Sequence, residues 1–269
     1  MLDNHQAAQI YARVRSRRPL IHQITNFVVM NCTANITLCA GALPVMAHAL
    51  EEVEEMVAAA GALVLNIGTL WPGQVEAMLA AGRRANQLGI PVVLDPVGAG
   101  ATRLRTESAR QLLNEVSISI VRGNLAEVAT LAGIKAEISG VESIGGSGNV
   151  SEVAAQLARL YNCTVAVTGA IDCVTDGSRY ASIANGHPLM ATVTGTGCMS
   201  TSVVASCAAV EKDAVHAAAA ALAAYGLAGQ IAAEKAQGPG TFQALLFDAL
   251  AGLSQESLLA GMRIEEEQA

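Results

Sequence analysis

The sequence predicts one doubly wound α/β domain, with a central, mostly parallel sheet and helices on both faces. Short β-branched runs alternate with helical stretches through the first two thirds of the chain, which is the pattern of consecutive βα units. Runs such as ALVLNIG and IPVVLDP are apolar throughout, as is typical of parallel strands that are covered on both faces. No proline- or serine-rich linker divides the 269 residues, so residues 1–269 are interpreted as a single domain.

The predicted strands are β-branched runs bounded by turn residues. They cover residues 20–24, 62–67, 91–94, 118–121 and 164–168, and Leu43-Pro-Val-Met46 ends a further strand. Helices are predicted between them at residues 51–60, 74–88, 106–114, 126–132 and 151–161. The glycine-rich residues 145–149 are interpreted as a loop before the last of these helices.

The alternation of predicted strands and helices ends after residue 168. An Asp176-Gly177 pair between two short strands predicts an antiparallel hairpin at the sheet edge. The last third of the chain is predicted to be helical, at residues 198–209, 214–235 and 242–259.

The composition excludes several classes of partner. With 16 basic and 23 acidic residues the formal net charge is −7, so the chain offers no positive field for nucleic acid or anionic lipid. Aromatic residues make up 3%, which argues against base-stacking surfaces. Charged residues make up 14%, against roughly 25% in an ordinary soluble domain. Part of the surface is therefore expected to be buried against another chain.

No membrane span or targeting segment is predicted. The long uncharged stretches are interrupted by asparagine, proline and histidine or are alanine-rich, so they are interpreted as buried elements. The first residues mix acid and base without an apolar run, which predicts a cytoplasmic protein without a signal peptide. The six cysteines form no C-x-x-C pair, and neither they nor the five histidines have metal-ligand spacing.

The most informative motif is Thr192-Val-Thr-Gly-Thr-Gly-Cys198 before a predicted helix. Gly195, Thr196 and Gly197 form a tight turn, and the free N–H groups of the helix start would make an anion hole for a phosphoryl group. A thiol at this place, Cys198, is expected to have a lowered pKa and to interact with a substrate hydroxyl. An ordinary glycine turn with a helix start is the alternative.

Three further polar residues end predicted strands, where α/β sheets bind ligands. Asp95 precedes a glycine loop and is a candidate Mg²⁺ ligand through water, although Asp before Pro is also common in turns. Arg122 is a candidate clamp for a nucleotide phosphate. Thr168, before Gly169, offers a hydroxyl to a second phosphate, with a simple turn equally compatible.

The sequence indicates a functional role less strongly for several other residues. Asn124 followed by Glu127 before an apolar run has the pattern of a helix capping box. Asn26, Met46 and Gly68 follow three predicted strands and could line a pocket for a small, mostly apolar ligand.

Two common nucleotide motifs are absent from the sequence. A P-loop needs Gly-Lys-Ser/Thr, and none of the three lysines follows a glycine. The closest match to G-x-G-x-x-G begins at Gly195, late in the chain, and lacks the third glycine. A dinucleotide-binding interpretation is therefore weak.

Taken in order, the motifs resemble those of the hydroxyethylthiazole kinases of thiamine salvage, which belong to the ribokinase-like superfamily. The motifs are T-N at 25–26, N-I-G-T-L at 66–70, L-D-P-V-G at 94–98, R-G-N-x-x-E at 122–127, V-T-G at 167–169, G-T-G-C at 195–198 and G-P-G-T-F at 238–242. Each motif alone is modest, but their order and spacing are specific and cover nearly the whole chain.

The resemblance implies transfer of the ATP γ-phosphate to the hydroxyl of 4-methyl-5-(2-hydroxyethyl)thiazole, with Mg²⁺. Cys198 would face that hydroxyl, at a place where most ribokinase-like enzymes carry Asp as the base. The family is trimeric, with the thiazole site between subunits, which implies a homotrimer. The remaining roles implied are ATP contacts for Arg122 and Thr168, magnesium for Asp95 and Glu127, and thiazole contacts for Met46 and Gly195, with Asn26 and Gly68 as neighbours.

Three other functions remain open at this point. A ribokinase-like kinase for another alcohol, such as a hydroxymethylpyrimidine, would share the nucleotide residues and differ around Asn26, Met46 and Cys198. A non-catalytic nucleotide or thiazole binder would bind ATP without turnover. A nicotinamide oxidoreductase is the third alternative.

Overall fold

The computed structural model describes residues 1–71, 73–134 and 147–268. Within these residues the strands are β1 Leu20–Ile24, β2 Leu43–Val45, β3 Ala62–Asn66, β4 Val92–Asp95, β5 Ile120–Asn124, β6 Thr164–Thr168, β7 Asp172–Thr175, β8 Arg179–Ile183 and β9 Ile264–Gln268. They form one sheet in the order β2-β1-β3-β4-β5-β6-β7-β8-β9.

The helices of the described residues cover both faces of this sheet. They are α1 Asn4–Arg17, α2 Met30–Ala40, α3 Val53–Ala58, α4 Gln74–Leu88, α5 Arg103–Glu115, α6 Leu125–Leu131, α7 Ser147–Tyr161, α8 Thr196–Ala208, α9 Ala214–Lys235, α10 Pro239–Gly252 and α11 Gln255–Gly261, with a 3-10 helix at Pro188–Thr192.

Strands β1 to β6 pair in parallel, and β7, β8 and β9 pair antiparallel. The predicted mostly parallel sheet is confirmed, and so is the hairpin around Asp176-Gly177, which joins β7 to β8. Because the parallel strands β1 and β3 to β6 run in the same direction, their carboxyl ends lie at one end of the sheet, and the polar residues there lie close together.

Strand β3 shows why the strands are apolar throughout. Successive side chains of a strand point to opposite faces, so Leu63 and Leu65 enter the core that contains Met78 of α4. Val64 enters a second core, which contains Val203 of α8. Both faces of the sheet are thus buried, and β3 is apolar until its last residue, Asn66.

Most predicted boundaries lie within a few residues of the observed ones, and residues 164–168, 74–88 and 214–235 match β6, α4 and α9. The single helix predicted at residues 242–259 is wrong: Ser254 caps a new helix, its side chain accepting from the N–H of Ser257, and α10 and α11 are separate. The predicted loop at residues 145–149 is wrong from Ser147 onward, where α7 begins, and its first two residues lie outside the described part. Helices α1 and α2 and strand β9 were not predicted.

Helix α9 is long and apolar enough to cross a membrane by length and composition, with a mean hydropathy of 1.3 over its most apolar window. It is the one such helix in the described residues, and 78% of that window is buried inside the protein. Residues Ala217 to Ala221 are fully buried. The helix is therefore a core element of this domain, as the sequence predicted.

Candidate active site

The site lies where the carboxyl ends of β3 to β6 meet the N-terminus of α8. Asn66 and Asp95 are register partners at the ends of β3 and β4, and Asn124 and Thr168 are partners at the ends of β5 and β6. The polar residues that end these strands therefore lie at the same end of the sheet.

The glycine turn before α8 is required by close packing. Gly195, the residue before the helix, has φ +90, and a Cβ on it would lie 2.9 Å from Cγ1 of Val29. A Cβ on Gly197 would lie 2.8 Å from Nη1 of Arg122. Within the described chain no side chain caps α8, so its first N–H groups are free for an anion.

Two hydroxyl groups hold this turn in place. Thr196 donates through Oγ1 to the carbonyl of Met190 at 2.8 Å, so its side chain is used internally and its N–H is left for the anion hole. Tyr225 of α9 donates to the carbonyl of Thr196 at 3.0 Å. The backbone of Gly195, Thr196 and Gly197, where the sequence predicts an anion hole, is thus supported by a contact from α9.

A cavity of about 550 Å³ opens on one side of the turn, between the end of β6, the 3-10 helix and α9. Arg122 and Thr168 line it together, and Nη2 of Arg122 donates to Oγ1 of Thr168 at 2.5 Å. Arg122 is 9% exposed and its Nε has no partner among the described residues. The structure thus brings the two predicted phosphate contacts together beside the glycine turn.

Asp172 also lines the cavity and was not singled out from the sequence. Its Oδ1 accepts the N–H of Gly169 at 2.9 Å. Burial raises the pKa of this carboxyl to about 6, and the Arg122 charge opposes the shift. An acidic residue that begins a buried strand was the signal that could have identified it.

Asp95 is fully buried at the bottom of the crevice. Its Oδ2 accepts from Nδ2 of Asn66 at 2.7 Å and from Oγ1 of Thr201 at 2.9 Å. Its Oδ1 has no hydrogen-bond partner in the described part of the chain and lies 3.9 Å from Nη1 of Arg122. Burial raises the pKa of Asp95 to about 6, against the lowering effect of Arg122.

Glu127 forms the capping box that its spacing from Asn124 indicates. Its Oε2 accepts the N–H of Asn124 and its Oε1 accepts the N–H of Gly98, at 2.9 and 2.8 Å. The Glu127 charge acts on Asp95 and helps to raise its pKa. Glu127 therefore ties the start of α6 to the loop that follows Asp95, and its carboxylate adds negative charge to the site.

Cys198 lies beside Asp95 at the start of α8. Its sulfur accepts from Nδ2 of Asn66 at 3.2 Å, and Nδ2 of Asn26 lies 3.7 Å away. The expected lowered pKa of this thiol is wrong: burial, and next the Asp95 charge, raise it to about 12. The helix start favours a thiolate, but desolvation and a neighbouring carboxylate outweigh it.

Asn26 and Gly68 lie together near Cys198. A Cβ on Gly68 would lie 2.5 Å from Nδ2 of Asn26. Met46 follows β2, and its carbonyl lies 3.3 Å from Nδ1 of His48. The other ring nitrogen of His48 is 3.1 Å from the N–H of Thr25, so the Met46 segment is bound to the residue before Asn26.

An apolar surface adjoins this part of the site. Phe27 and Val28 are 62% and 66% exposed, although they directly follow Asn26. The Phe27 ring stacks on Trp71 with centroids 4.7 Å apart. Exposed apolar patches of this kind are typical of interfaces.

The six cysteines are free. Among the residues that the structure describes, no group of three His, Cys, Asp or Glu could hold a metal ion. Any cation here would thus rely on few carboxylates and on water or a ligand, as Mg²⁺ commonly does.

A model of the hydroxyethylthiazole kinase family matches residues 11–256 of the chain. The chain is 57% identical to a hydroxyethylthiazole kinase of Methanoculleus marisnigri over 265 residues, 98% of this chain and 95% of the relative. It is similar to the solved structure of a hydroxyethylthiazole kinase protein from Pyrococcus horikoshii, with a TM-score of 0.91, 43% identity and coverage of 97% and 99% of the two chains. A ribokinase-like superfamily protein of Enterococcus faecalis has the same fold, at a TM-score of 0.65, 15% identity and coverage of 92% and 95%.

Proposed function

The chain belongs to the hydroxyethylthiazole kinase family, and from this membership we propose that it transfers the γ-phosphate of ATP to the hydroxyl of 4-methyl-5-(2-hydroxyethyl)thiazole, in thiamine salvage. One observation carries the proposal: the uncapped start of α8 belongs to two groups of residues, because Gly197 lines the cavity with Arg122 and Thr168 and Cys198 contacts Asn26 beside Gly68. A donor bound on one side and an alcohol on the other would meet at the anion hole.

The anion hole would stabilise the migrating phosphoryl group. In a loose transition state the negative charge is spread over three equatorial oxygens, and catalysis depends on positioning and on preorganised donors. The N–H groups of Gly197 and Cys198 are such donors, because the helix geometry fixes them before substrate binds. Arg122 and Thr168 would contact the ATP phosphates, and Met46 and Gly195 would contact the thiazole.

The residues present fit a magnesium ion. Oδ1 of Asp95 is buried without a hydrogen-bond partner in the described residues, with Nη1 of Arg122 3.9 Å away, and a buried carboxylate oxygen that accepts no hydrogen bond is costly unless a ligand meets it. We propose that Asp95 holds Mg²⁺, with Glu127 acting through water because both its oxygens already accept N–H groups. When bound, the ion would neutralise charge on the ATP phosphates.

The Cys198 thiol would stay protonated at neutral pH, since its pKa is raised to about 12. It would therefore contact the substrate hydroxyl as a neutral polar group. A loose transition state requires little proton removal before the new P–O bond forms, so a strong base is not needed for turnover.

We expect Cys198→Asp to raise kcat severalfold, since a carboxylate accepts the hydroxyl proton more readily than a buried neutral thiol. Steady-state kinetics at pH 7.5 would measure it, with Cys198→Ser as the matched control that keeps a polar contact without a base. A fall in kcat with unchanged ATP affinity would mean that the thiol acts through its size or polarity.

We further propose a homotrimer with the thiazole sites at subunit interfaces, in the cytoplasm. The exposed Phe27 and Val28 support an interface beside Asn26, and the number three follows from the family resemblance. Six free cysteines fit a reducing compartment.

Phe27→Asp is expected to dissociate the assembly, because a charge cannot be buried in an apolar contact without a partner. Analytical ultracentrifugation would then show monomers, whereas the wild type sediments as a trimer. Leu160→Asp is the control, since Leu160 on α7 is 60% exposed and far along the chain from Asn26. A Phe27→Asp protein that remains trimeric would contradict this interface.

The function itself is tested by incubating the protein with ATP, Mg²⁺ and the thiazole alcohol and measuring the phosphorylated thiazole by mass spectrometry. Testing a hydroxymethylpyrimidine as a second substrate would distinguish a thiazole kinase from a kinase for that alcohol. Binding of ATP without product would identify a non-catalytic binder, and a change in nicotinamide absorbance with an alcohol would identify an oxidoreductase.

A further inference from the structure

Asn66 lies at the centre of the polar cluster; from the sequence it is the first residue of the N-I-G-T-L motif and ends a predicted strand, but no role was assigned to it there. It is 1% exposed at the end of β3. Its Nδ2 donates to Oδ2 of Asp95 at 2.7 Å and to Sγ of Cys198 at 3.2 Å. It is thus in contact with the proposed metal ligand and with the residue proposed to face the alcohol.

The carbonyl half of the same amide has two further partners. Oδ1 of Asn66 accepts from Nδ2 of Asn26 at 2.8 Å and from the N–H of Gly68 at 3.0 Å. Two donated and two accepted bonds use the full capacity of a carboxamide. Reversing the amide would place its oxygen against the Asp95 carboxylate and its NH₂ against two donors, so the network fixes one orientation.

The orientation of Asp95 depends on these bonds. Both Asn66 and Thr201 donate to Oδ2, whereas Oδ1 has no hydrogen-bond partner within the described residues and lies 3.9 Å from Nη1 of Arg122. Two donors on one oxygen determine which of the two carboxylate oxygens is presented to a ligand. No polar atom of Asn66 is left to bind substrate.

We propose that Asn66 is a positioning residue that holds the Asp95 carboxylate and the Cys198 sulfur in one fixed arrangement at the start of α8. The proposal rests on the proposed kinase function and deepens it. Asn66 contributes to turnover without contacting either substrate, so its loss lowers kcat and leaves substrate affinity unchanged.

The variant Asn66→Asp tests the donor function of the amide separately from its acceptor function. The variant keeps an oxygen for Asn26 and Gly68, but its second oxygen shares at most one proton with Asp95, so it cannot donate to both Asp95 and Cys198. Because displacements of about 1 Å can cost roughly 10²-fold in rate, kcat is expected to fall roughly 30- to 100-fold. KM for the thiazole alcohol, KM for ATP and the calorimetric Kd for ADP are expected to stay within roughly threefold.

A second variant and a control complete the test. Thr201→Val removes the other bond to Oδ2 of Asp95 and is expected to lower kcat severalfold at unchanged KM. Asn86→Asp is the matched control: the Asn86 amide bonds the backbone of Ser117, at the opposite edge of the sheet, and kcat is expected to stay at the wild-type value.

Wild-type kcat in folded Asn66→Asp and Thr201→Val proteins would overturn the proposal. A rise in KM with unchanged kcat would also overturn it, because it would show Asn66 in contact with a substrate. If thermal melting shows that Asn66→Asp does not fold, Thr201→Val decides alone by the same criteria. A wild-type protein that does not phosphorylate the thiazole alcohol would instead refute the proposed function, and this inference with it.

Discussion

Asp95→Asn is expected to lower kcat by roughly 10²- to 10³-fold, the usual cost of removing a preorganised charge from the reaction centre. Asparagine can still accept from Asn66 and Thr201 through its Oδ1, but it carries no charge to hold Mg²⁺. Steady-state kinetics with varied Mg²⁺ would measure the loss. A variant with wild-type kcat would remove Asp95 from the proposed mechanism.

The same variant is expected to be at least as stable as the wild type above pH 6. The pKa of Asp95 is raised by burial to about 6 from its ordinary value of 3.8, so the folded protein binds this proton more tightly than the unfolded chain. The sign follows from linkage. The folded state is stabilised by proton binding at Asp95 at low pH, and this stabilisation is lost as the pH rises from the unfolded pKa of 3.8 through the folded pKa of about 6. Thermal melts from pH 4 to 8 would show this slope in the wild type and a smaller slope in Asp95→Asn.

Arg122→Ala is expected to weaken ATP binding by about 2 kcal/mol, roughly 30-fold, the usual contribution of hydrogen bonds from a charged group. Arg122 also lowers the pKa of both Asp95 and Asp172, so the same variant is expected to raise the pKa of these two carboxyls further.

Isothermal calorimetry with a non-hydrolysable ATP analogue would measure the Arg122 effect. Arg103→Ala is the matched control, since the Arg103 side chain is 88% exposed and, among the described residues, forms an ion pair with Glu107 alone. Equal affinity in Arg122→Ala and wild type would refute the phosphate role of Arg122.

The strand-end rule accounts for most of what the sequence could predict about the site. Asp95, Arg122 and Thr168 each end an apolar run, and parallel strands bring such ends to one edge without further information. The glycine turn was equally visible, because Gly195 and Gly197 precede a helical run. These features depend on local pattern, which a single sequence contains.

The features that the sequence did not predict depend on contacts between distant segments. The raised pKa of Cys198 follows from burial and from Asp95, about a hundred positions earlier. Asn66 and Thr201 gain their roles only because β3 and α8 meet at Asp95. Strand β9 carries three glutamates, a residue type depleted in strands, and it forms because β8 offers a free edge.

All the proposed roles require transfer of the phosphoryl group at the start of α8. A crystal structure of the protein with bound thiazole phosphate would show where the group lies. We expect phosphate oxygens about 2.7 to 3.1 Å from the backbone nitrogens of Gly197 and Cys198, with the ester oxygen on the side of Cys198. A phosphate bound away from those N–H groups, with the glycine turn empty, would refute transfer at the start of α8.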